Sequence, residues 1–452
     1  MGRALKKILT TVICAAVMVV TATASSSSKM IPVVEELSSS LFAGRLTGTS
    51  GNDRATHYIA SLFAELGLEP MAGLEDYHQE YTQPARFLVD GAPQLAIVSA
   101  QGEESNSLQY LEDFVVALGQ GLTNQGAVTG SAVVLRRVEQ LKHLTTGLAD
   151  LPGRVLLIPE SVFEPNQNEI MQHLVTTSPK PAGLIIEADI GDQTFPTSLF
   201  VTFEELDNPA QLPLLFSVRT EAFWELVRAA ERGSELRMVA DYELTEIEVK
   251  NVVGLVPGRL EEGPTNDRQY VIIGAHFDGA GSTMAGTLNP SAHDNASGVA
   301  VLLECAARLR HEQLSLDPTV VFAAFNGEEQ GMYGSRFLAS HWPYPKDATI
   351  MINIDSVGAK KNDVLSIETG PGVESALQLE LLAQSHKLGI PAEGGQSNGS
   401  DHRSFAEQGI RAINLIQADH SVMHRMTDNA DVLDEEKLEQ VVRLILTYLQ
   451  GM

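Results

Sequence analysis

Tyr270-Val271-Ile272-Ile273-Gly274-Ala275-His276-Phe277-Asp278 starts as an unbroken apolar run and ends on residues able to hold a cation or a proton. A short continuous apolar run suits a strand buried on both faces, as in a sheet covered by helices on each side. Working outward, comparable runs recur at Thr319–Phe325, Thr349–Ile354 and Ala412–Ile416. Segments of helical periodicity lie among them at Gly298–Leu309, Gly334–Ser340, Ser375–Leu388 and Glu435–Leu449. This alternation predicts an α/β fold with a mixed, largely parallel sheet flanked by helices. Ligands of such sheets bind in the crevice beyond the carboxyl ends of the strands, so the residues just past each run are the candidates for chemistry.

The first run leads into His276 and Asp278, the second into Asn326-Gly327-Glu328-Glu329, the third into Asp355, and the fourth into His420 and His424. Asp294 stands in Ser291-Ala292-His293-Asp294-Asn295-Ala296-Ser297-Gly298, a polar turn before a helix. Taken singly, each has an ordinary reading. A lone His is usually a satisfied core or surface residue, Asp294-Asn295 could cap a helix, and Glu328-Glu329 could be a solvated pair suited to a helix dipole. Their joint occurrence after successive strands, in Gly-flanked turns, favours imidazole and carboxylate ligands of a divalent zinc site. Five ligands suit two metals that share one carboxylate.

These motifs resemble the co-catalytic two-zinc aminopeptidase family, which includes secreted bacterial leucyl aminopeptidases and, more distantly, glutamate carboxypeptidase. The resemblance is carried by Gly274–Asp278, His293–Gly298, Gly327–Ser335, Asn353–Gly358 and His424–Asp428, and extends to Gly44-Arg45 through Pro70 and to Ser400-Asp401-His402. It implies a zinc exopeptidase fold and two Zn2+, other divalent metals being possible. Asp294 becomes the bridging carboxylate, with His276 and Asp355 on one zinc and Glu329 and His424 on the other. Glu328 becomes the general base toward a water shared by both ions, and Asp278 the residue that orients the His276 ring. A cis peptide between Asp294 and Asn295 is also implied. Departures occur at Met423 and Arg425, where relatives often carry an aromatic residue and Thr, and His420 competes with His424. The implied activity is an aminopeptidase acting on peptides with a free N-terminus. Alternatives are a carboxypeptidase or dipeptidase on the same scaffold, a glutaminyl cyclase, or a catalytically dead binding or receptor module. The intact Asn-Ala-Ser-Gly at 295–298 speaks against the cyclase, and the retained ligands and Glu328 against the dead scaffold.

Toward the N-terminus, Val33–Leu41 and His57–Leu66 read as amphipathic helices on either side of a Gly/Thr/Ser-rich stretch, residues 44–52. Residues 25–85 are assigned to the N-terminal part of the peptidase domain and residues 251–452 to the remainder with the metal site. Between them, short apolar runs at Leu95–Val98, Ala132–Leu135, Val155–Ile158 and Gly183–Ile186 indicate a β-rich insert over residues 86–250, similar to a protease-associated domain. Residues 1–24 read as a signal peptide: Arg3, Lys6 and Lys7, an apolar stretch from Ile8 to Val20, then Ala22-Thr23-Ala24. The expectation is an exported protein, periplasmic or extracellular, without a retained membrane anchor. A formal charge of −27 over 452 residues argues against a nucleic-acid partner. Loss of the leader, with three basic residues and no acidic ones, makes the mature chain about three charges more acidic. It also leaves Cys305 as the single cysteine, read as a buried small hydrophobe. Nothing in the sequence indicates side-chain preference or oligomeric state.

Overall fold

The computed structural model describes residues 30–88, 93–99, 102–110, 112–116, 126–141, 153–176, 180–188, 213–259, 269–281, 288–312, 314 and 316–452. The expected signal peptide lies outside these residues. In chain order the strands are β1 (Glu69–Pro70), β2 (His78–Leu88), β3 (Gln94–Val98), β4 (Glu104–Leu108), β5 (Phe114–Val116), β6 (Gly126–Val134), β7 (Val155–Ile158), β8 (Gly183–Glu187) and β9 (Leu214–Val218). They continue with β10 (Glu235–Ala240), β11 (Tyr242–Val256), β12 (Tyr270–His276), β13 (Thr319–Phe325), β14 (Thr349–Asp355), β15 (Leu365–Thr369), β16 (Ala392–Gln396) and β17 (Arg411–Ile416).

One sheet has the order β1-β11-β13-β12-β14-β17-β15-β16, with β2 also paired to β11. Its centre, β13-β12-β14-β17, is parallel throughout. Antiparallel pairs flank that centre, β11 against β13 and β15 against β17. Every residue of β12, β13 and β14 is buried. The cause is helices on both faces. Ile273, Ala275, Ile352, Ile354, Ile367, Ile413 and Leu415 pack into one core with the helices Met30–Leu37, Ser297–His311 and Glu435–Gln450. Ile272, Val321, Phe325 and Met351 pack on the other face with Leu338 and Phe405 from the helices Tyr333–Ser340 and His402–Glu407. By the two-residue alternation of a strand, His276 and Asp355 belong to this second face.

A second, β-rich sheet has the order β4-β3-β10-β6-β7-β8-β9-β5, parallel from β6 to β9. Apolar clusters pack on both its sides. One holds Phe223, Leu226 and Val227 of the amphipathic helix Thr220–Glu231, an element that the run of short strands had concealed. β2 and β11 link the two sheets as one antiparallel ladder, running without a break from His78 opposite Val252 to Leu88 opposite Tyr242.

The N-terminal helices differ from expectation in their limits. The first spans Met30–Leu37, and a 3-10 turn comes next at Ser40–Arg45. Ala43, Gly44 and Arg45 there have φ of 47°, 71° and 54°. The α-helix thus stops at Leu37 and Leu41 falls in the 3-10 turn, whose left-handed end is tightly packed: a Cβ on Gly44 would lie 2.2 Å from the Gly281 carbonyl oxygen. The second helix begins at Ser50 rather than His57, because Thr49 caps it by accepting from the Asn52 N–H. Residues 50–52, the end of the polar stretch, thus lie in its first turn.

Candidate metal centre

Five loops at the carboxyl end of the sheet converge. His276 ends β12, Asp355 ends β14, and Glu328 and Glu329 come directly after β13. Asp294 lies in the turn Ala292–Ala296 ahead of the helix Ser297–His311. His424 comes from the loop after β17. The Asp294–Asn295 peptide is cis, as the resemblance implies. Asn295 pins that turn: its Oδ1 accepts from the Gly298 and Ser356 N–H groups at 2.9 and 3.1 Å, and its Nδ2 donates to the Ile354 carbonyl at 2.9 Å. A Cβ on Gly298 would meet Asn295 Oδ1 at 2.4 Å, so close packing requires glycine there. Ser291, Met332, Ser356 and His424 all have positive φ, between 51° and 61°. Such values in non-glycine residues persist only where surrounding contacts over-determine them.

The side chains form two groups that share Asp294: His276, Asp294 and Asp355, and Asp294, Glu329 and His424. His276 Nε2 lies 3.3 Å from Asp294 Oδ1 and 3.5 Å from Asp355 Oδ1. His424 Nε2 lies 3.0 Å from the other Asp294 oxygen, Oδ2, and 2.9 Å from Glu329 Oε2. Glu328 belongs to neither group, although its Oε2 is 3.9 Å from His276 Nε2. His420 is exposed and also lies in neither. His293, another imidazole of the motif, is turned away: its Nε2 accepts from the Asp419 N–H at 3.1 Å.

Asp278 does more than face His276. Its Oδ1 is 3.6 Å from His276 Nδ1, and its carboxylate accepts from the backbone N–H of Glu328 and of Glu329, each at 3.2 Å. It ties the ring to the loop that carries both glutamates. Thr47 donates to the same carboxylate and to Asn326 Oδ1.

The charges are concentrated. Burial alone would favour neutral Asp294, but the His276 and His424 imidazoles beside it hold it well below the usual carboxylate range. Burial would likewise lower His424; the charges of Glu329 and Asp294 overcome it and push the imidazole up to about 12. Glu328 is raised well above its ordinary value, first by burial and then by Asp401, Asp355 and Glu329, with His276 opposing. Acidic groups so crowded, with protonated imidazoles between them, are a donor set suited to cations. Among the described residues, Glu329 Oε1 and both His276 ring nitrogens are buried without a hydrogen-bond partner, which fits ligation.

Three supporting residues carried little sequence signal beyond the motifs around them. Asp428 accepts from the backbone N–H of His293 and Asp294, at 2.6 and 3.1 Å. Arg45, wholly buried, donates to the carbonyls of Phe277 at 2.7 Å, Pro290 at 3.1 Å and Ser291 at 2.7 Å, joining the loops beside His276 and Asp294. Asp401 is a buried acid raised by desolvation to about 7. The spacing from His424 to Asp428 hints at the first. A buried arginine is invisible without the fold.

A helix-covered mixed sheet with two side-chain groups sharing Asp294 at its strand ends is a scaffold able to hold two metal ions. Residues 251–449 match the model of peptidase family M28. Aminopeptidase YwaD of Bacillus subtilis is 27% identical over 207 residues, 43% of this chain and 43% of that protein. A probable zinc metalloprotease of Pyricularia oryzae is 31% identical over 158 residues, 34% of this chain and 26% of the relative. These matches span less than half the length of both relatives. Among solved structures, BSAP, a zinc aminopeptidase from Bacillus subtilis, superposes with a TM-score of 0.63 at 20% identity, covering 93% of this chain and 94% of its own. An aminopeptidase from Aneurinibacillus sp. strain AM-1 gives 0.61 at 22% identity, covering 93% and 92%. The shared fold therefore takes in both sheets.

Proposed function

We propose that this chain is an exported, zinc-dependent aminopeptidase that removes N-terminal residues from peptides. The observation that carries the reading is the division of acids at the strand ends: two ligand groups share Asp294, and Glu328 stands beside them but in neither. His276 and Asp355 with Asp294 would hold one ion, Glu329 and His424 with Asp294 a second. Two such ions would supply Lewis acidity, making a water acidic enough to attack near neutral pH and polarising the scissile carbonyl.

The chain's own part is positioning and proton handling. Glu328 takes the proton of the attacking water and returns it to the leaving amine, which requires an acid near the site but free of ligation. Its desolvated carboxyl suits that cycle, because burial brings proton affinity up toward that of the groups it serves. Asp278 keeps the His276 ring and the 328–329 backbone in one arrangement. The YwaD and BSAP names support an aminopeptidase over the carboxypeptidase and dipeptidase alternatives, and the leader at residues 1–24 supports export. Among the described residues, no helix is long and apolar enough to cross a membrane.

The test uses the purified mature protein on leucine p-nitroanilide and on its N-acetylated form. Cleavage confined to the free amine is expected; equal cleavage of both would overturn the aminopeptidase reading.

A further inference from the structure

We propose that Glu368 selects substrates whose N-terminal residue carries a cationic side chain, lysine or arginine. The inference rests on the aminopeptidase reading and adds a specificity residue to it.

Leu365 and Ile367 of β15 enter the core behind the sheet, so Ser366 and Glu368 lie on the opposite face, the one that carries His276 and Asp355. Glu368 stands in register with Asn414 of β17, and Asn414 with Asn353 of β14, two residues before Asp355. A polar row connects them. Asn353 Nδ2 donates to Asn414 Oδ1 at 3.0 Å, Asn414 Nδ2 to Glu368 Oε2 at 3.4 Å, and Ser366 Oγ to Glu368 Oε1 at 3.3 Å. Gly395 of the neighbouring β16 leaves the space: a Cβ there would come within 3.0 Å of Glu368 Cγ.

Position across the sheet assigns the side of the substrate. From β13 through β12, β14 and β17 to β15, the same face carries Glu328 just past β13, then His276 and Asp355 at the strand ends and Glu368 two residues below them. Glu328 must reach the leaving amine, so the departing peptide lies over β13 and the N-terminal residue extends toward β17 and β15. Asp355 and Glu368 are two strands apart and offset by two residues along them, about 12 Å between backbones. A long side chain pointing along that face meets a carboxylate.

That carboxylate is half-buried and, among the described residues, forms no ion pair with a lysine or arginine. Hydrogen bonds from Asn414 and Ser366 fix its orientation, and the charges acting on it belong to Asp355 and His420. Burial raises its carboxyl above the usual range, a cost that an incoming ammonium or guanidinium would relieve. A neutral side chain would leave it unpaired.

The experiment compares kcat/KM for lysine, arginine and leucine p-nitroanilides in the wild type and in the Glu368→Gln and Glu368→Leu variants, with melting curves as the control for folding. The wild type should favour the basic anilides, and both variants should lower the lysine-to-leucine ratio by roughly tenfold or more, the loss of one charge-assisted contact. An unchanged ratio in folded variants that still hydrolyse leucine anilide overturns the proposal and leaves the aminopeptidase reading standing. If the zinc-loaded wild type hydrolyses none of the anilides, that reading fails instead. Calorimetric binding of argininamide and leucinamide then decides for Glu368: an arginine preference abolished by Glu368→Gln upholds the cation site, and equal binding overturns it.

Discussion

Glu328 and Glu329 are adjacent, yet only Glu329 reaches an imidazole of the shared-Asp294 groups at hydrogen-bond distance. The difference begins with Asp278, which fixes both backbone N–H groups and so sets where each side chain departs. Replacing Glu328 by Gln should leave metal content intact and reduce kcat by about a hundredfold or more, the usual range for losing a general base. Elemental analysis beside steady-state kinetics checks this, and wild-type turnover would assign the base to another group. The proposed ligands were legible because imidazoles and carboxylates in Gly-flanked turns after apolar runs have few other uses. His424 was harder to choose, since His420 has the same chemistry four residues earlier; only the path of the loop separates a buried contact with Asp294 from an exposed ring. Arg45 was legible only as part of a motif. Its work is done on backbone carbonyls, which leave no mark in side-chain chemistry.

At the scale of elements, Asp428 joins the loop after β17 to the turn before the helix Ser297–His311 by accepting two backbone N–H groups. Asp428→Ala would strand those buried donors, at about 1–3 kcal/mol each. The expected result is a melting temperature lower by several degrees and weaker metal binding, with Asp428→Asn recovering part of both because one acceptor oxygen remains. Equal behaviour of the Ala and Asn variants would show that the oxygen is not what matters. The central strands were readable because burial on both faces demands an uninterrupted apolar run. β16 was not: Ala392-Glu393-Gly394-Gly395-Gln396 is a largely exposed edge strand with no apolar period, and backbone pairing to β15 alone makes it a strand. The helix Thr220–Glu231 was missed for the opposite reason, since short apolar strands on either side hid a good amphipathic pattern.

Across the whole molecule, Cys305 is buried within an apolar core, and burial pushes its thiol up, so it offers neither a disulfide nor a reactive group. Bound cations are then the natural cross-link, joining residues from β12 to the loop after β17. Their binding is coupled to protons. In the metal-free protein the Glu329 and Asp294 charges outweigh burial and keep His424 protonated up to about pH 12, and ligation requires the neutral ring. Zinc must therefore displace a proton, and its affinity should fall as pH falls. Since ligand stabilisation follows RT ln(1 + [L]/Kd), the zinc-induced rise in melting temperature should shrink between about pH 8 and pH 6. Scanning calorimetry with and without zinc measures it, and a rise that grows on acidification would exclude His424 as a ligand. The β2–β11 ladder has a different consequence. Leu88 and Tyr242 face each other across it, so more than 150 intervening residues leave and re-enter the chain at neighbouring points. Such an arrangement is that of a hairpin whose tip has been opened to admit a passenger. Everything beyond the tip can lengthen, shorten or be exchanged during evolution while the register of the strands below, and hence the aim of the catalytic loops, stays the same.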